Sequence, residues 1–195
     1  ILIIGGGPAG YTAAFRAAEL GKTVAIVDPN DSLGGECLHH ACIPSKSAVL
    51  EVDSTQTIAM LSKGIEQKCT SLGIDRLHGV AHFENSKTAQ ITGEVVSVVK
   101  FRKAIIASGS QQRTHSSFQE ATQVEDIYRN TPYEKNILIV GNTPIAIEAA
   151  TVLNKTNNVS LLAGGDILPT FERQLVKPVE RALSKTIQIR TELTE

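Results

Sequence analysis

One short pattern occurs twice in the sequence, and this repeat limits the folds open to the chain. The two copies read ILIIGGGPAGYTAA (Ile1 to Ala14) and ILIVGNTPIAIEAA (Ile137 to Ala150). In each copy an apolar strand leads through a tight turn into an alanine-rich helix. A second apolar strand then follows, KTVAIVD in the first copy and NVSLLAG in the second. Strand, helix and strand in this order form the βαβ unit of a parallel sheet. The repeat therefore predicts an α/β protein with two such units.

The region between the copies has a different pattern. Apolar residues at helical spacing predict a helix over 57–72. The stretches AHFEN, TAQIT and EVVSVVKF then predict strands, with a hairpin turn at 92–94, and FRKAIIASGS predicts one more strand. The polar stretch 111–135 is the best candidate for a linker. We therefore divide the chain into a first domain, residues 1–130, and a second, incomplete domain, residues 131–195.

Composition excludes several classes of function. The 19 basic and 20 acidic side chains nearly cancel, so the chain lacks the basic surface of a nucleic-acid-binding protein. No apolar run approaches the roughly 20 residues that span a bilayer, and no signal peptide is recognisable. Three cysteines cannot build a disulfide scaffold, which favours a reducing compartment: the cytoplasm or, in a eukaryote, the mitochondrial matrix. We interpret Cys69, in a polar helical run, as a semi-buried residue without a chemical role.

The first turn has the glycine spacing of a nucleotide-binding site. Gly5 permits a sharp turn, Gly7 lets a pyrophosphate approach the backbone, and Gly10 lets the helix pack closely on the strand. The anion would rest on the N–H groups at the helix N-terminus. Asp28 ends the next strand, where a carboxylate binds a ribose hydroxyl. The sequence thus predicts a dinucleotide site in the first unit.

A close cysteine pair follows in GGECLHHACIPSK, which runs from Gly34 to Lys46. Taken alone, Cys37 and Cys42 have three interpretations: a structural disulfide, part of a metal site, or a pair that transfers electrons. A reducing compartment disfavours the first, and the absence of CxxC disfavours zinc. The intervening His39 and His40 could tune a thiol pKa, help to bind a soft metal, or be partly exposed loop residues.

These motifs together resemble those of a known family. GGxC, a four-residue gap, a second Cys and IPSK fall in the same order as in the pyridine-nucleotide disulfide oxidoreductases, and most closely in the dihydrolipoamide dehydrogenases. The glycine turn, the acid after the second strand, an ASG strand end, the second βαβ unit and ILPTFERQL extend the resemblance over nearly the whole chain. The resemblance implies an α/β fold: a Rossmann-like FAD-binding domain with an inserted, incomplete second Rossmann-like NAD-binding domain.

The resemblance also implies roles for individual residues. FAD would bind the first domain with its ring against the cysteine pair. Cys42 would be the charge-transfer thiol beside the flavin, and Cys37 the interchange thiol that exchanges with the substrate. Exchange proceeds through a thiolate, so the site must lower a cysteine pKa, and a helix start with Pro44 in its first turn would do so. Lys46 would stabilise negative charge on the reduced flavin, paired with Glu148.

The same resemblance implies a wider set of cofactor contacts, and it assigns no metal ligand. The FAD contacts would be Gly5, Gly7, Pro8, Ala9, Gly10, Asp28, Gly35, Cys37, Lys46, Ala81, Ala107, Ser108 and Gly109. The NAD contacts would be Gly141 and Ala146.

The implied activity is the oxidation of dihydrolipoamide by NAD⁺ to lipoamide and NADH through a Cys37–Cys42 redox disulfide. Two alternatives stay open: a related disulfide or mercuric reductase that uses NAD(P)H, and a flavin-binding protein without dehydrogenase activity. The implied partners are lipoamide or another small or protein-bound disulfide, and a 2-oxo-acid dehydrogenase complex. The full-length protein is expected to be a homodimer.

The second glycine turn departs from the family pattern, so the resemblance leaves NAD binding open. Thr143 stands where a glycine should admit the pyrophosphate, and its branched side chain would crowd it. Ala146 is a tolerated variant of the third glycine. No acid ends the following strand, because Ala163 and Gly164 occupy that place and Asp166 comes slightly too late.

Three further departures concern completeness. Ala41 replaces a glycine beside the charge-transfer cysteine, and the segment between Lys46 and Lys63 is shorter than in the family. The chain opens on a strand and closes just after one, so we expect it to be a piece of a longer polypeptide that lacks the C-terminal interface domain. In the family that domain completes the FAD site, builds the dimer and supplies a His–Glu acid–base pair. The piece alone should therefore be inactive.

Overall fold

The computed structural model describes residues 1–93, 97–111, 118, 120–123, 126–128 and 136–192. The chain forms two compact units: Ile1–Pro44 with Asp53–His115, and Ser45–Val52 with Ser116–Glu195. The predicted boundary between residues 130 and 131 lies outside the described residues, as does most of the predicted linker 111–135, so both stay predictions. The predicted α/β class with Rossmann-like parallel sheets is confirmed.

Ten strands and six helices are described. The strands are β1 (Leu2–Ile4), β2 (Ala25–Asp28), β3 (Asp75–His78), β4 (Val80–Asn85), β5 (Thr88–Thr92), β6 (Ser97–Lys100), β7 (Ala104–Ile106), β8 (Asn136–Val140), β9 (Asn158–Leu162) and β10 (Gln188–Arg190). The helices are α1 (Pro8–Glu19), α2 (Gly35–His39), α3 (Cys42–Leu50), α4 (Thr55–Ser71), α5 (Pro144–Leu153) and α6 (Arg173–Leu183).

The first unit is built on a four-stranded parallel sheet in the order β3-β2-β1-β7. Its central strands are short apolar runs with buried residues such as Leu2, Ile3 and Ile26, as expected where helices cover a parallel sheet. The sequence did not reveal β3, because its segment DRLH is polar and forms an edge strand. The carboxyl ends of these parallel strands share one edge of the sheet, where ligands bind in open α/β folds.

Helices α1 and α4 contribute to the main apolar cluster of this unit. Ala14 and Ala17 of α1 pack against Ile3 and Ile26, because small side chains let the helix approach the sheet closely. The predicted helix at 57–72 is confirmed as α4. Cys69 on α4 is 3% exposed within this cluster, and burial raises the pKa of its thiol. It is more fully buried than the semi-buried position we expected.

A second, antiparallel sheet of the first unit has the order β4-β5-β6. The first three of the four strands predicted between the repeats are confirmed as β4, β5 and β6, although β6 is described only from Ser97, and the fourth is confirmed as β7 of the parallel sheet. Ala89 and Ile91 of β5 are buried with Leu2 and Val27 in one apolar cluster. Of the predicted hairpin turn at 92–94, the last residue lies outside the described residues.

The second unit repeats the parallel architecture with strand order β10-β9-β8. Ala146 and Ala150 of α5 pack with Leu161 of β9 in its apolar cluster. Val176 of α6 joins the same cluster. The sequence did not reveal α6, because Pro178 lies inside it and proline normally interrupts a helix.

None of the helices in the described parts of the chain combines the length and the apolar character that a bilayer span requires.

Candidate functional site

The first glycine turn connects β1 to α1 and is closed by backbone contacts. The Gly5 amide donates to the Val27 carbonyl at 2.8 Å, and the Ala107 amide donates to the Ile4 carbonyl at 2.8 Å. Gly5 has a φ of +105°, and a Cβ atom on it would overlap the Ala107 carbonyl. A larger residue is therefore excluded at Gly5 both by its backbone conformation and by the neighbouring chain.

The predicted roles of Gly7 and Gly10 correspond to two different environments. Gly7 is the N-cap of α1, and a Cβ atom there would meet only the Cα of Gly35, at 3.8 Å. Gly10 packs against the Gly5 carbonyl oxygen with no space for a Cβ atom. Among the residues that the structure describes, no side chain caps this end of α1, so the N–H groups of Ala9 and Gly10 are available to an anion. The open surface at Gly7 and the uncapped helix start fit a pyrophosphate.

Asp28 lies beside this turn at the end of β2. Its carboxylate accepts the Gly6 amide at 2.6 Å, and also the backbone and side-chain N–H groups of Asn30, each at 2.9 Å. A carboxylate has about four acceptor positions, so about one remains for a ribose hydroxyl. Asp28 thus holds the glycine turn in shape, and its role at a ribose hydroxyl stays a prediction.

The Gly34-Gly35 pair brings α2 onto the same turn. The Gly34 amide donates to the Gly6 carbonyl at 2.9 Å. Gly34 and Gly35 have φ values of +132° and +61°, and a Cβ atom on Gly35 would lie 2.6 Å from the Cα of Gly7. Only glycine can satisfy both demands, because L side chains rarely adopt these conformations and no room exists for one at Gly35. The pair therefore joins the cysteine-bearing helix to the predicted phosphate site.

The two cysteines lie on successive short helices. Cys37 is inside α2, and Cys42 is the first residue of α3, with Pro44 in the first turn as predicted. Both are free thiols; Cys37 is half-buried and Cys42 is exposed. Burial, and then the neighbouring Cys42, raise the pKa of Cys37 to about 11. We expected a lowered thiol pKa at this pair, and at Cys37 the direction is the opposite, because desolvation disfavours its thiolate.

The two histidines are not free loop residues. His39 ends α2, and its Nε2 lies 3.2 Å from the Leu33 carbonyl oxygen and 3.3 Å from the Ser32 hydroxyl. His40 follows as the C-cap of α2, and its ring centroid is 6.2 Å from that of His39. His39 therefore fastens the end of the cysteine-bearing helix to the loop after β2. Within the described ranges, no group of three or more His, Cys, Asp or Glu side chains is placed to hold a metal ion.

Lys46 and Glu148 are brought together within the second unit. The Lys46 ammonium donates to Glu148 Oε1 at 2.7 Å, and the buried Ser45 hydroxyl donates to Glu148 Oε2 at 2.5 Å. Lys46 first, and then Ser45, lower the pKa of Glu148. Lys46 follows Cys42 by about one turn of α3, so the ammonium and the thiol are carried by one helix.

The remaining predicted FAD contacts are spread over two sheets. Ala107 and Ser108 follow β7 directly beside Gly5, and Gly109 has a φ of +76° with open space around it. These residues lie at the carboxyl edge of the parallel sheet, next to the glycine turn. Ala81 lies instead on β4, where it packs against the apolar cluster shared by the two sheets.

The second glycine turn makes the same backbone hydrogen bond as the first, but it carries a side chain where the first has glycine. The Gly141 amide donates to the Leu162 carbonyl at 2.9 Å, as Gly5 does to Val27. Thr143 is the N-cap of α5, with the extended φ of −89° that any residue adopts. Its exposed side chain stands where Gly7 leaves the first turn open. The turn therefore folds as predicted, but it carries the Thr143 side chain at the position where the first turn has Gly7.

The acid of the first turn has no equivalent in the second. The register of β8 on β9 and the bond from Gly141 make Ala163 the counterpart of Asp28, and a methyl group accepts no hydrogen bond. Asp166 lies 4.0 Å from Arg173 as an ion pair. Ala146 is buried in α5, and its Cβ is 3.2 Å from where a Cβ on Gly141 would lie. The residues present fit NAD much less well than the first turn fits FAD.

Sequence reasoning missed two residues of the site. Asn30 holds Asp28, and an asparagine two residues after a strand-ending aspartate is a recognisable turn signal. Ser45 holds Glu148 from a position over 100 residues away, and no local pattern announces such a contact.

The fold and the site together define a class of protein: an α/β dinucleotide-binding protein whose phosphate turn contacts a helix with a close cysteine pair. The chain belongs to the family described as pyridine nucleotide-disulphide oxidoreductases, which it matches over residues 1–194. Proteins of this family, the dihydrolipoyl dehydrogenases among them, use FAD and NAD.

Curated relatives of the chain are named dihydrolipoyl dehydrogenase. The chain is 30% identical over 220 residues to that of Bacillus subtilis, with 94% of this chain and 46% of the relative covered. It is 28% identical over 218 residues to dihydrolipoyl dehydrogenase 2 of Haloarcula marismortui, with 92% and 46% covered. The chain thus spans about half the length of the curated relatives it matches.

Solved structures share the fold. The HOCl-induced flavoprotein disulfide reductase RclA from Escherichia coli matches with a TM-score of 0.83 at 22% identity, covering 97% of this chain and 48% of that one. The Cu(II) complex of RclA matches with a TM-score of 0.84 at 21% identity, covering 100% and 49%. At this identity the likeness concerns the fold alone.

Proposed function

We propose that the protein is an FAD-dependent dithiol–disulfide oxidoreductase that oxidises dihydrolipoamide through the Cys37–Cys42 pair, with NAD⁺ as the final electron acceptor. One observation carries the proposal. The glycine turn that fits a pyrophosphate also contacts Gly35, and Gly35 begins the helix that carries Cys37. A nucleotide held at this turn and the cysteine pair would therefore share one rigid support.

The exchange at the pair follows from ordinary thiol chemistry. A substrate thiolate attacks Cys37 Sγ of the oxidised pair, the Cys37–Cys42 bond breaks, and Cys42 leaves as a thiolate. The second substrate thiol loses its proton to solvent and attacks the mixed disulfide, which closes the substrate disulfide. Cys37 leaves and takes up a proton. The pair gains two electrons and ends as one thiol and one thiolate.

The structure favours this division of charge. Burial and the neighbouring Cys42 raise the pKa of Cys37 to about 11, so Cys37 retains its proton at neutral pH, which supports Cys37 as the member of the pair that takes up the proton. The FAD of the family, when bound, supplies the acceptor for the two electrons. Gly7, the N–H groups of Ala9 and Gly10, and Asp28 would hold its pyrophosphate and ribose. Lys46, oriented by Glu148, would supply positive charge near the reduced ring.

A second candidate is a flavoprotein disulfide reductase or flavin-binding protein that does not use NAD⁺ in the ordinary way. Thr143 and Ala163 favour it, because they remove the open surface and the acid at the second turn. The partners that we propose are lipoamide or another disulfide, carried by a small molecule or by a 2-oxo-acid dehydrogenase complex, and a second copy of the protein. We propose a reducing compartment, the cytoplasm or the mitochondrial matrix, because the chain has too few cysteines for a disulfide scaffold.

An anaerobic titration separates these candidates. The oxidised full-length protein, with its bound flavin quantified, is reduced with dihydrolipoamide and divided into two portions. One portion is denatured and its thiols are counted by alkylation, and NAD⁺ is added to the other, native portion. The proposal predicts two additional thiols and formation of NADH. Two additional thiols without NADH would support the second candidate, and no additional thiols would exclude dithiol exchange. Cys37→Ser should abolish the gain of thiols, whereas the control Cys69→Ser should preserve it, because Cys69 is buried in the apolar cluster.

A further inference from the structure

The Lys46–Glu148 ion pair is exposed, yet one of the carboxylate's partners is deeply buried. The Lys46 and Glu148 side chains are 63% and 36% exposed, and pairs with this much exposure are held weakly. Ser45 is 4% exposed and donates its hydroxyl to Glu148 Oε2 at 2.5 Å. A carboxylate bound at one oxygen by a buried donor cannot rotate freely. Its other oxygen, Oε1, is then fixed in the position where it accepts the Lys46 ammonium at 2.7 Å.

We propose that Ser45 is a positioning residue that orients the Glu148 carboxylate and thereby the Lys46 ammonium. The inference adds to the proposed function. It rests on that function only where it gives Lys46 a role at the flavin. The contacts among Ser45, Lys46 and Glu148 are independent of any flavin.

The chain offers a matched control for Ser45. Ser47 lies on the same helix and is 7% exposed, so Ser47→Ala removes an equally buried hydroxyl from α3. No described hydrogen bond joins the Ser47 hydroxyl to Glu148. An effect that arises from disturbance of α3 in general would appear in both alanine variants, whereas an effect on the carboxylate would appear only in Ser45→Ala.

The test is a carbon-13 NMR titration of the Glu148 carboxyl group in the protein, with nitrogen-15 observation of the Lys46 ammonium. The Ser45 bond stabilises the charged carboxylate, so Ser45→Ala should shift the Glu148 pKa upward and change the Lys46 signal. Ser47→Ala should leave both at the wild-type values, and Ser45→Thr, which keeps the hydroxyl, should restore them. An unchanged Glu148 pKa in Ser45→Ala, or the same shift in Ser47→Ala, would overturn the proposal.

In the flavin-loaded protein, Ser45→Ala should also lower the flavin reduction potential, since Lys46 is less well placed. If the NMR result holds and the potential does not move, Ser45 positions Lys46 but the proposed role of Lys46 at the flavin is wrong.

Discussion

Gly10 packs against the carbonyl oxygen of Gly5 so closely that no space remains for a Cβ atom. This contact fixes the distance between the first helix and the strand that it follows, and it explains why the third glycine of the turn is required although its backbone is ordinary helix. Gly7, two positions after Gly5, has open space instead. The glycines of one motif therefore serve different purposes, and substitution should separate them.

Gly10→Ala should destabilise the protein by about 1–3 kcal/mol, because the added methyl group must displace the backbone of the turn. Urea unfolding followed by circular dichroism measures the change. Gly64→Ala is the matched control: Gly64 also lies in a helix, and its added methyl group would meet nothing within 4 Å. That variant should gain about 0.5–1 kcal/mol from helix propensity. Equal stability of the two variants would refute the packing role of Gly10.

Asp28→Asn should destabilise the protein by about 1–3 kcal/mol. Both carboxylate oxygens now accept hydrogen bonds from N–H groups, and the amide of the variant would turn its own N–H groups toward one of these donors. Asp28 is buried, so water cannot replace the lost bonds. Asp31→Asn, at a fully exposed side chain nearby, should change the stability by less than about 0.5 kcal/mol. Urea unfolding again provides the measurement. A neutral Asp28→Asn variant would show that the carboxylate does not hold the turn.

Alkylation by iodoacetamide should distinguish the two thiols of the Cys37–Cys42 pair. Cys42 is exposed, whereas Cys37 is half-buried with its pKa raised to about 11, so Cys42 should react first in the reduced protein. The rate at Cys37 should rise about tenfold for each pH unit until the pH approaches its pKa. Peptide mass spectrometry after a timed pulse at several pH values measures both rates.

The same experiment has an internal check. In Cys42→Ser the charge of the neighbouring thiolate is lost, and this charge is one of the causes that raise the pKa of Cys37. The pH at which Cys37 becomes reactive should therefore move down. A Cys37 rate that is independent of pH, or unaffected by the loss of Cys42, would contradict the coupling of the two thiols.

Thr143→Gly combined with Ala163→Asp should increase the affinity for NADH at least about tenfold, since each change restores one contact of a dinucleotide turn. The backbone at Thr143 is extended and already accessible to any residue, so the glycine should not disturb the fold. Isothermal titration calorimetry measures the gain. FAD affinity is the control and should not change. If wild-type protein already binds NADH as tightly as the double variant, Thr143 does not obstruct the turn.

The sequence predicted both parallel units and the glycine turn, because strands of buried apolar residues and tight glycine turns leave strong local signals. It did not predict the edge strand β3 or helix α6, since β3 is polar and α6 contains Pro178. The Lys46–Glu148 pair was reached only through resemblance, because its partners are far apart in the chain. The direction of the pKa shift at Cys37 was not foreseen, since burial is a property of tertiary packing. Local sequence patterns thus predicted the parallel units and the glycine turn that carry the site. The ion pair and the pKa shift of the site depend on tertiary contacts, which local patterns do not reveal.

The central claim is that the first glycine turn holds FAD beside the cysteine pair. Titration of the purified full-length apoprotein with FAD, followed by quenching of flavin fluorescence and by alkylation of Cys42, tests it most directly. The account predicts saturable binding of one FAD and protection of Cys42. It also predicts that Gly7→Ala weakens binding at least about tenfold without loss of stability, because its methyl group points into open space. Absence of FAD binding, or wild-type binding by Gly7→Ala with Cys42 still unprotected, would contradict it.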